Sequence, residues 1–334
     1  MSARPGRLAA QRPTLVLLIA VVLVGFAGTV QPSLLGTAVT VGIFSLMAVP
    51  LGFIYGQGGA ISLAQGTFAA IGAYASGILT THLDWSPAAT VLIAIAVPAL
   101  LALVIARPIL RLPELSLALA TLALGIVIEV VLQRGGDLTG SFRGLTGIPP
   151  LPFVEGRLGT YLFVWLAVLL LVFCYTNVVQ TSRGRALNAI RIDRIHAEAV
   201  GVPVANQLAG YFALAAGVAG FAGWFYAHYI GYMAPESLNM TLSANLLFMV
   251  AIGGRKAPLG PVLGALIFTI ARDFLPGLES QGMYFGALLL AVLIFLPDGL
   301  LSVSPVRSVR ERLRQATATR AVPDVAGANE GASR

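Results

Sequence analysis

The chain has 334 residues, of which 57% are hydrophobic and only 10% charged, with a mean hydropathy of +0.87. A soluble domain carries about 25% charged residues, so this composition excludes an ordinary soluble fold and places most of the chain in lipid. The formal charge of +7 is not a nucleic-acid signature, because the basic residues cluster in short loops and at the ends and form no stripe interleaved with aromatics.

Taken in chain order, Arg4, Arg7 and Arg12 precede an apolar run from Thr14 to Val30. That order suits either a secretory signal or an uncleaved first span. The run is long for a signal core and no small-x-small cleavage site follows, which favours the span. A spanning helix needs about 20 mostly apolar residues. On that measure the sequence predicts an all-α polytopic membrane protein of about ten segments: 13–30, 34–55, 58–80, 87–106, 114–132, 160–178, 208–231, 241–254, 258–275 and 282–301. The third and ninth are glycine-rich and the eighth is short, which predicts broken or tilted helices there.

Small residues mark where helices meet. Ser62, Gly66, Ala70, Ala73 and Gly77 recur every three to four residues in the third segment, as do Ala213, Gly217, Gly220 and Gly223 in the seventh. Such stripes let backbones approach closely in lipid. They serve packing, or they line a path whose helices change register. The one sizeable outer loop, 133–160, is rich in Gly, Pro and Thr and reads as a compact cap. Cys174 is the single cysteine and lies in an apolar run, so no disulfide forms within the chain. Organisation along the chain is then a terminus at 1–12, a transmembrane domain at 13–303, and a tail at 304–334 that reads as a short amphipathic helix followed by disorder.

The one long polar interval inside the apolar sequence is 182–207. It carries Arg183, Arg185, Arg191 and Arg194 and reads as a short helix. Ser182 stands where a cap would, Ala186, Leu187, Ile190 and Ala197 keep helical spacing, and Gly201 and Pro203 end it. With the N-terminus inside, 17 basic residues fall on the cytoplasmic side and 4 outside (Arg134, Arg143, Arg157 and Arg272). The positive-inside rule therefore supports cytoplasmic termini, a cytoplasmic 182–207 loop and an even number of spans.

Catalytic patterns are absent. A phosphate-cradling P-loop needs G-x-x-x-x-G-K-[ST], and the one lysine, Lys256, stands in GGRKAPLG. His82, His196 and His228 have no metal-ligand spacing; His196 reads as solvated and His228 as a residue at the outer end of a span. Ionisable residues within spans are few. Glu129, Arg272 and Asp273 all fall near a boundary, where anchoring competes with a role in a path. A secondary carrier would want titratable groups at mid-membrane, and a membrane enzyme would want a catalytic constellation.

Seven blocks then carry a resemblance: GGAISLAQGTFAAIGAYASG (58–77), LSLALATLALG (115–125), DLTGSFRGLTGIPP (137–150), SRGRALNAIRIDRIHAEAVGV (182–202), AGVAGFAGWFYAHYIGYMAPES (216–237), LLFMVAIGG (246–254) and LGPVLGA (259–265). In this order the chain resembles the LivM-type permease subunits of bacterial ABC importers for branched-chain amino acids. That resemblance implies a bacterial inner-membrane permease without an ATPase site or cofactor. Its implied partners are a LivH-like second permease, two P-loop ATPase subunits, a periplasmic binding protein and membrane lipid, with no nucleic acid. It also implies that 183–202 is the cytoplasmic coupling loop. Arg183, Arg185, Arg191, Asp193, Glu198, Ala199 and Gly201 would then serve contact with the ATPase. The substrate path would draw on Gln57, Ser62, Gln65, Thr67, Ser243 and Asn245, or on helix-end dipoles.

Three departures from the family pattern bear on the substrate. Ile126 stands where a glutamate is common, with Glu129 nearby; GGRKAPLGP adds Arg255 and Lys256; and the outer loop reads SFRG. Relatives of the family also carry urea, short amides and other small polar solutes.

Overall fold

The structure, a computed structural model, describes residues 11–274 and 299–302. The 304–334 tail and most of the expected tenth segment lie outside the described residues. Helices dominate: α1 Arg12–Val30, α2 Pro32–Phe53, α3 Gln65–His82, α4 Pro87–Ile109, α5 Glu114–Gln133, α6 Gly156–Gln180, α7 Ser182–Ile192, α8 Arg194–Ala199, α9 Val204–Ile230, α10 Met240–Gly253 and α11 Gly260–Phe274. A two-residue strand β1 (Leu145–Thr146) pairs antiparallel with β2 (Tyr232–Met233) and ties the 133–155 loop to the end of α9.

The protein is an all-α polytopic membrane protein. Among the described residues, six helices are long and apolar enough to cross a bilayer: α1, α2 with its terminal turn, α4, α5, α6 and α9. The other expected segments are of a different kind. Helices α10 and α11 have 14 and 15 residues. At 1.5 Å per residue α10 is roughly 20 Å long, short of a hydrocarbon core of about 30 Å, and α11 is described only as far as Phe274.

The expected third segment, 58–80, is not one helix. Helix α2 carries Pro50 and then widens into a π turn, Ile54–Gly58. Gly59 turns left-handed with φ 70°, and α3 starts only at Gln65. The physical reason is the GQGGAIS run, since each glycine costs about 1 kcal/mol relative to alanine in a helix. Irregular backbone is tolerated at such depth only when protein groups satisfy it. Here they do: Leu63 N donates to Thr121 Oγ1 (2.9 Å), Gly66 N to Ser243 Oγ (3.0 Å) and Ala64 N to Ser62 Oγ (3.3 Å).

The centre is built on α2 and α9, most of whose length is buried, while α1, α4 and α5 leave most of their surface exposed. Contact between α3 and α9 runs through glycine. A side-chain carbon on Gly72 would strike the backbone of Gly220, and one on Gly223 would strike the Ala69 carbonyl. The α3 stripe that meets α9 therefore includes Gln65, Ala69, Gly72 and Ser76. Of the expected stripe, Gly66 instead faces Asn239 and Ser243, and Gly77 faces Leu145 and Ile148.

Candidate functional site

Two regions concentrate polar chemistry, and the π turn joins them. The first is the break ahead of α3. Gln65 Nε2 donates to the Ala215 carbonyl (3.1 Å), and Ala215 is close to the middle of the 27-residue α9. Helix α3 therefore starts near the mid-depth of the bundle. Helix α10 starts at the same level. Its cap Asn239 accepts from Leu242 N (3.3 Å), and its Ser243 holds Gly66 N. Two helix N-termini, each the positive end of a peptide dipole, thus meet beside Ser62, Gln65, Thr67 and Ser243, all of them buried. The Thr67 hydroxyl lies against Gly125 of α5. In this arrangement the cluster closes the gap between helices.

Two of the six expected path residues are elsewhere. Gln57 sits in the π turn between Gly56, which packs on the Arg255 carbonyl, and Gly58, which packs on Leu187 and Leu208. Asn245 is half-buried and lies about 200° around α10 from Ser243 at about 100° per residue. Thr121 belongs to the cluster and was missed by sequence reasoning. Its signal was faint: one hydroxyl in the apolar run LALATLALG.

His228 lies in the last turn of α9, at the end of the span as the sequence suggests, and there it is a buried tie. The Pro149 carbonyl can only accept, so Nδ1 carries a proton and donates to it (2.6 Å). Nε2 then meets Ser76 Oγ (2.7 Å), which meets Thr90 Oγ1 (2.6 Å). This chain of contacts pins the 144–151 stretch onto α3, α4 and α9. Of the boundary charges, Asp273 is exposed and accepts from Thr37 Oγ1 at 3.5 Å.

The second region is α7–α8. The expected single helix is two. Thr181, not Ser182, caps α7, its hydroxyl accepting from Gly184 N (3.3 Å). Asp193 breaks the run and caps α8, with Oδ1 accepting from His196 N (3.0 Å). Leu187, Ile190 and Ala197 are buried against the bundle. Arg191 packs on Gly59 at the foot of the break and donates to Asn188 Oδ1 (2.8 Å). Arg194 donates to the Leu110 carbonyl (2.6 Å) and Arg185 to that of Gln180 (3.0 Å). Opposite the bundle, Ile192, Ile195 and Val200 are exposed, as are Glu198, Ala199 and Gly201. The α10–α11 turn is fastened to the same place: Arg255 Nη1 donates to Tyr55 Oη (2.8 Å), and the guanidinium lies 5.0 Å from the centre of the Tyr55 ring.

The π turn thus has α7 packed on one side and leads on the other into the polar cluster. Among the described residues no group of three or more His, Cys, Asp or Glu is placed to hold a metal.

Comparison with known proteins gives the family. Residues 33–297 match the family model described as branched-chain amino acid transport system / permease component. The chain is 28% identical over 290 residues to the high-affinity branched-chain amino acid transport system permease protein LivM of Salmonella typhimurium, covering 78% of this chain and 68% of that one. The LivM of Escherichia coli gives the same identity and coverage. A probable branched-chain amino acid transport permease protein LivM of Methanocaldococcus jannaschii is 23% identical over 218 residues, covering 60% of this chain and 63% of its own. No solved structure matches.

Proposed function

The chain belongs to the branched-chain amino acid permease family, and from that premise we propose that it forms half of the translocation path of an ABC importer for leucine, isoleucine and valine. The other half is a LivH-like permease. Of two P-loop ATPase subunits one docks on α7–α8, and a periplasmic protein delivers substrate at the β1–β2 end. The transmembrane domain is 13–303, embedded in the inner membrane with both termini cytoplasmic.

The observation that carries this reading is the π turn and break at 54–64, which touches Arg191 at Gly59 and Thr121 at Leu63 and runs straight into α3, whose Gly66 N is held by Ser243. A push on α7 is thereby passed to the start of α3. Ser62, Gln65, Thr67 and Ser243 line the path, with Gln57 and Asn245 flanking it at other positions. The N-termini of α3 and α10 suit the substrate carboxylate, as half-helices do in other transporters.

Reconstitution with all partners in proteoliposomes tests the function. Leucine uptake is expected to require ATP and loaded binding protein. The chain alone, lacking a P-loop, is expected to hydrolyse no ATP. Hydrolysis by the pure chain, or uptake driven by an ion gradient without ATPase subunits, would overturn the importer reading in favour of an enzyme or a secondary carrier. A second substrate class has one observation behind it: Ser62, Gln65, Thr67, Thr121 and Ser243 are all neutral hydrogen-bonding residues, which also suits urea or a short amide. Competition of leucine uptake by excess urea or acetamide separates the two.

Topology gives a further check. In a Cys174→Ala background, a cysteine at the exposed Asn188 is expected to resist an impermeant thiol reagent in intact cells. One at Phe142, 68% exposed in the outer loop, is expected to react. The opposite labelling pattern would invert the orientation.

A further inference from the structure

Beside α7 a polar cavity of about 510 Å³ is bordered by Arg183, Asn206, Gln207 and Tyr211. It shares Gly210 and Leu214 with a trench of about 700 Å³ between α4, α6 and α9. The trench is apolar throughout, and its rim includes Leu103, Leu170 and Leu214, which are widely exposed. A side-chain carbon on Gly210 would meet nothing within 4 Å, so the floor is open where the two spaces join.

Two features of the polar end are unanswered among the described residues. Gln207 Oε1 is shielded from solvent and has no hydrogen-bond partner among them, an arrangement native structures rarely leave unmet. Arg185, Arg191 and Arg194 each donate to a neighbouring carbonyl or side-chain oxygen. Arg183 is exposed at the cavity mouth, and no hydrogen bond or ion pair to it is found among the described residues.

We propose that this combined space binds an anionic glycerophospholipid of the leaflet bordering α7, with its phosphate on Arg183, a headgroup hydroxyl donating to Gln207 Oε1 as that side chain turns into the cavity it lines, and an acyl chain in the trench. One lipid molecule carries an anion, a donor and an apolar chain in that order. A transmembrane helix laid in the trench would cover its apolar walls but bring neither an anion to Arg183 nor a donor to the Gln207 oxygen. The positive charge at the mouth matches the anionic lipids of a cytoplasmic leaflet, and an arginine fork is suited to phosphate. The site does not depend on the transported solute.

The test is lipid retention by the intact full-length chain in mild detergent, read by native mass spectrometry. It is titrated with phosphatidylglycerol and, separately, with phosphatidylcholine of the same chains. The wild type is expected to hold phosphatidylglycerol about tenfold more tightly, as a charge-assisted contact predicts. Arg183→Gln, an exposed change, should erase that preference. Gly210→Phe should fill the trench and weaken both lipids. Arg185→Gln should change neither, and thermal unfolding of each variant verifies that it folds. Equal retention of the two lipids by the wild type, or a preference that survives Arg183→Gln, would overturn the site. Lipid retention unchanged in Gly210→Phe would overturn the trench as the seat of the acyl chain.

Discussion

Ile195→Asp is expected to abolish transport and the stimulation of ATP hydrolysis by loaded binding protein, while the chain still folds and inserts. Ile195 is 82% exposed, with Ile192 at 72% and Val200 at 65% beside it, on an arginine-rich surface segment. Three large apolar side chains facing outward there have no role within the bundle. Burying each in a groove on an ATPase subunit would contribute about 1.5–3 kcal/mol. An aspartate in that groove is an unpaired buried charge costing about 3–5 kcal/mol, so docking falls by two to four orders of magnitude, at about 1.4 kcal/mol per decade. Arg185→Ala, an exposed position, should cost only about 0–1 kcal/mol and reduce transport modestly. Ala199→Asp, exposed on the same segment, is expected to uncouple as well. Gly201→Asp is a poorer probe, because φ at Gly201 is 86° and any side chain is strained there. Proteoliposomes with all subunits decide the matter. Normal uptake by Ile195→Asp would remove α7–α8 as the coupling element.

Gly223→Leu is expected to prevent assembly of the bundle. The first side-chain carbon would fall on the Ala69 carbonyl of α3. A backbone oxygen cannot rotate aside as a side chain does, so α3 and α9 must separate along their whole contact, including the Gly72–Gly220 approach. Overpacking of a core typically costs about 1–3 kcal/mol, and a backbone obstruction should exceed that range. Little monodisperse protein should be recovered from detergent. Gly210→Ala on the same helix is the control. Its added methyl meets nothing within 4 Å, and alanine favours a helix by about 0.8–1 kcal/mol. Its unfolding temperature should be unchanged or slightly raised. A well-behaved Gly223→Leu protein would mean that α3 and α9 do not pack as closely as described.

Much of the bundle was legible because lipid imposes a simple rule. Apolar runs of sufficient length must be helices, and the runs at 13–30, 87–106, 114–132 and 160–178 each matched a helix to within a few residues. The α7–α8 segment was legible as the one polar interval with Ala186, Leu187, Ile190 and Ala197 at helical spacing, but that Leu187, Ile190 and Ala197 turn toward the bundle is visible only in the structure. Its division into two helices was not legible, because Asp193 can serve as a helical residue or as a cap, and only its bond to His196 N decides. The outward face was hidden too. Ile192, Ile195 and Val200 look like core residues by type, and their exposure depends on which side of the helix the bundle occupies.

The sequence by itself determined that this is a helical membrane protein, that it carries no P-loop motif, and that the glycine-rich third segment is a candidate for a broken or tilted helix. Those properties follow from composition, spacing and local motifs. Only the tertiary structure decided what the interruption does. Leu63 N and Gly66 N find their acceptors on Thr121 and Ser243, 58 and 177 residues along the chain. His228 finds Ser76 at a separation of 152. A hydroxyl's partner is set by which helices lie side by side, and helix neighbours in lipid are chosen by close packing of small residues that local sequence records only as a stripe.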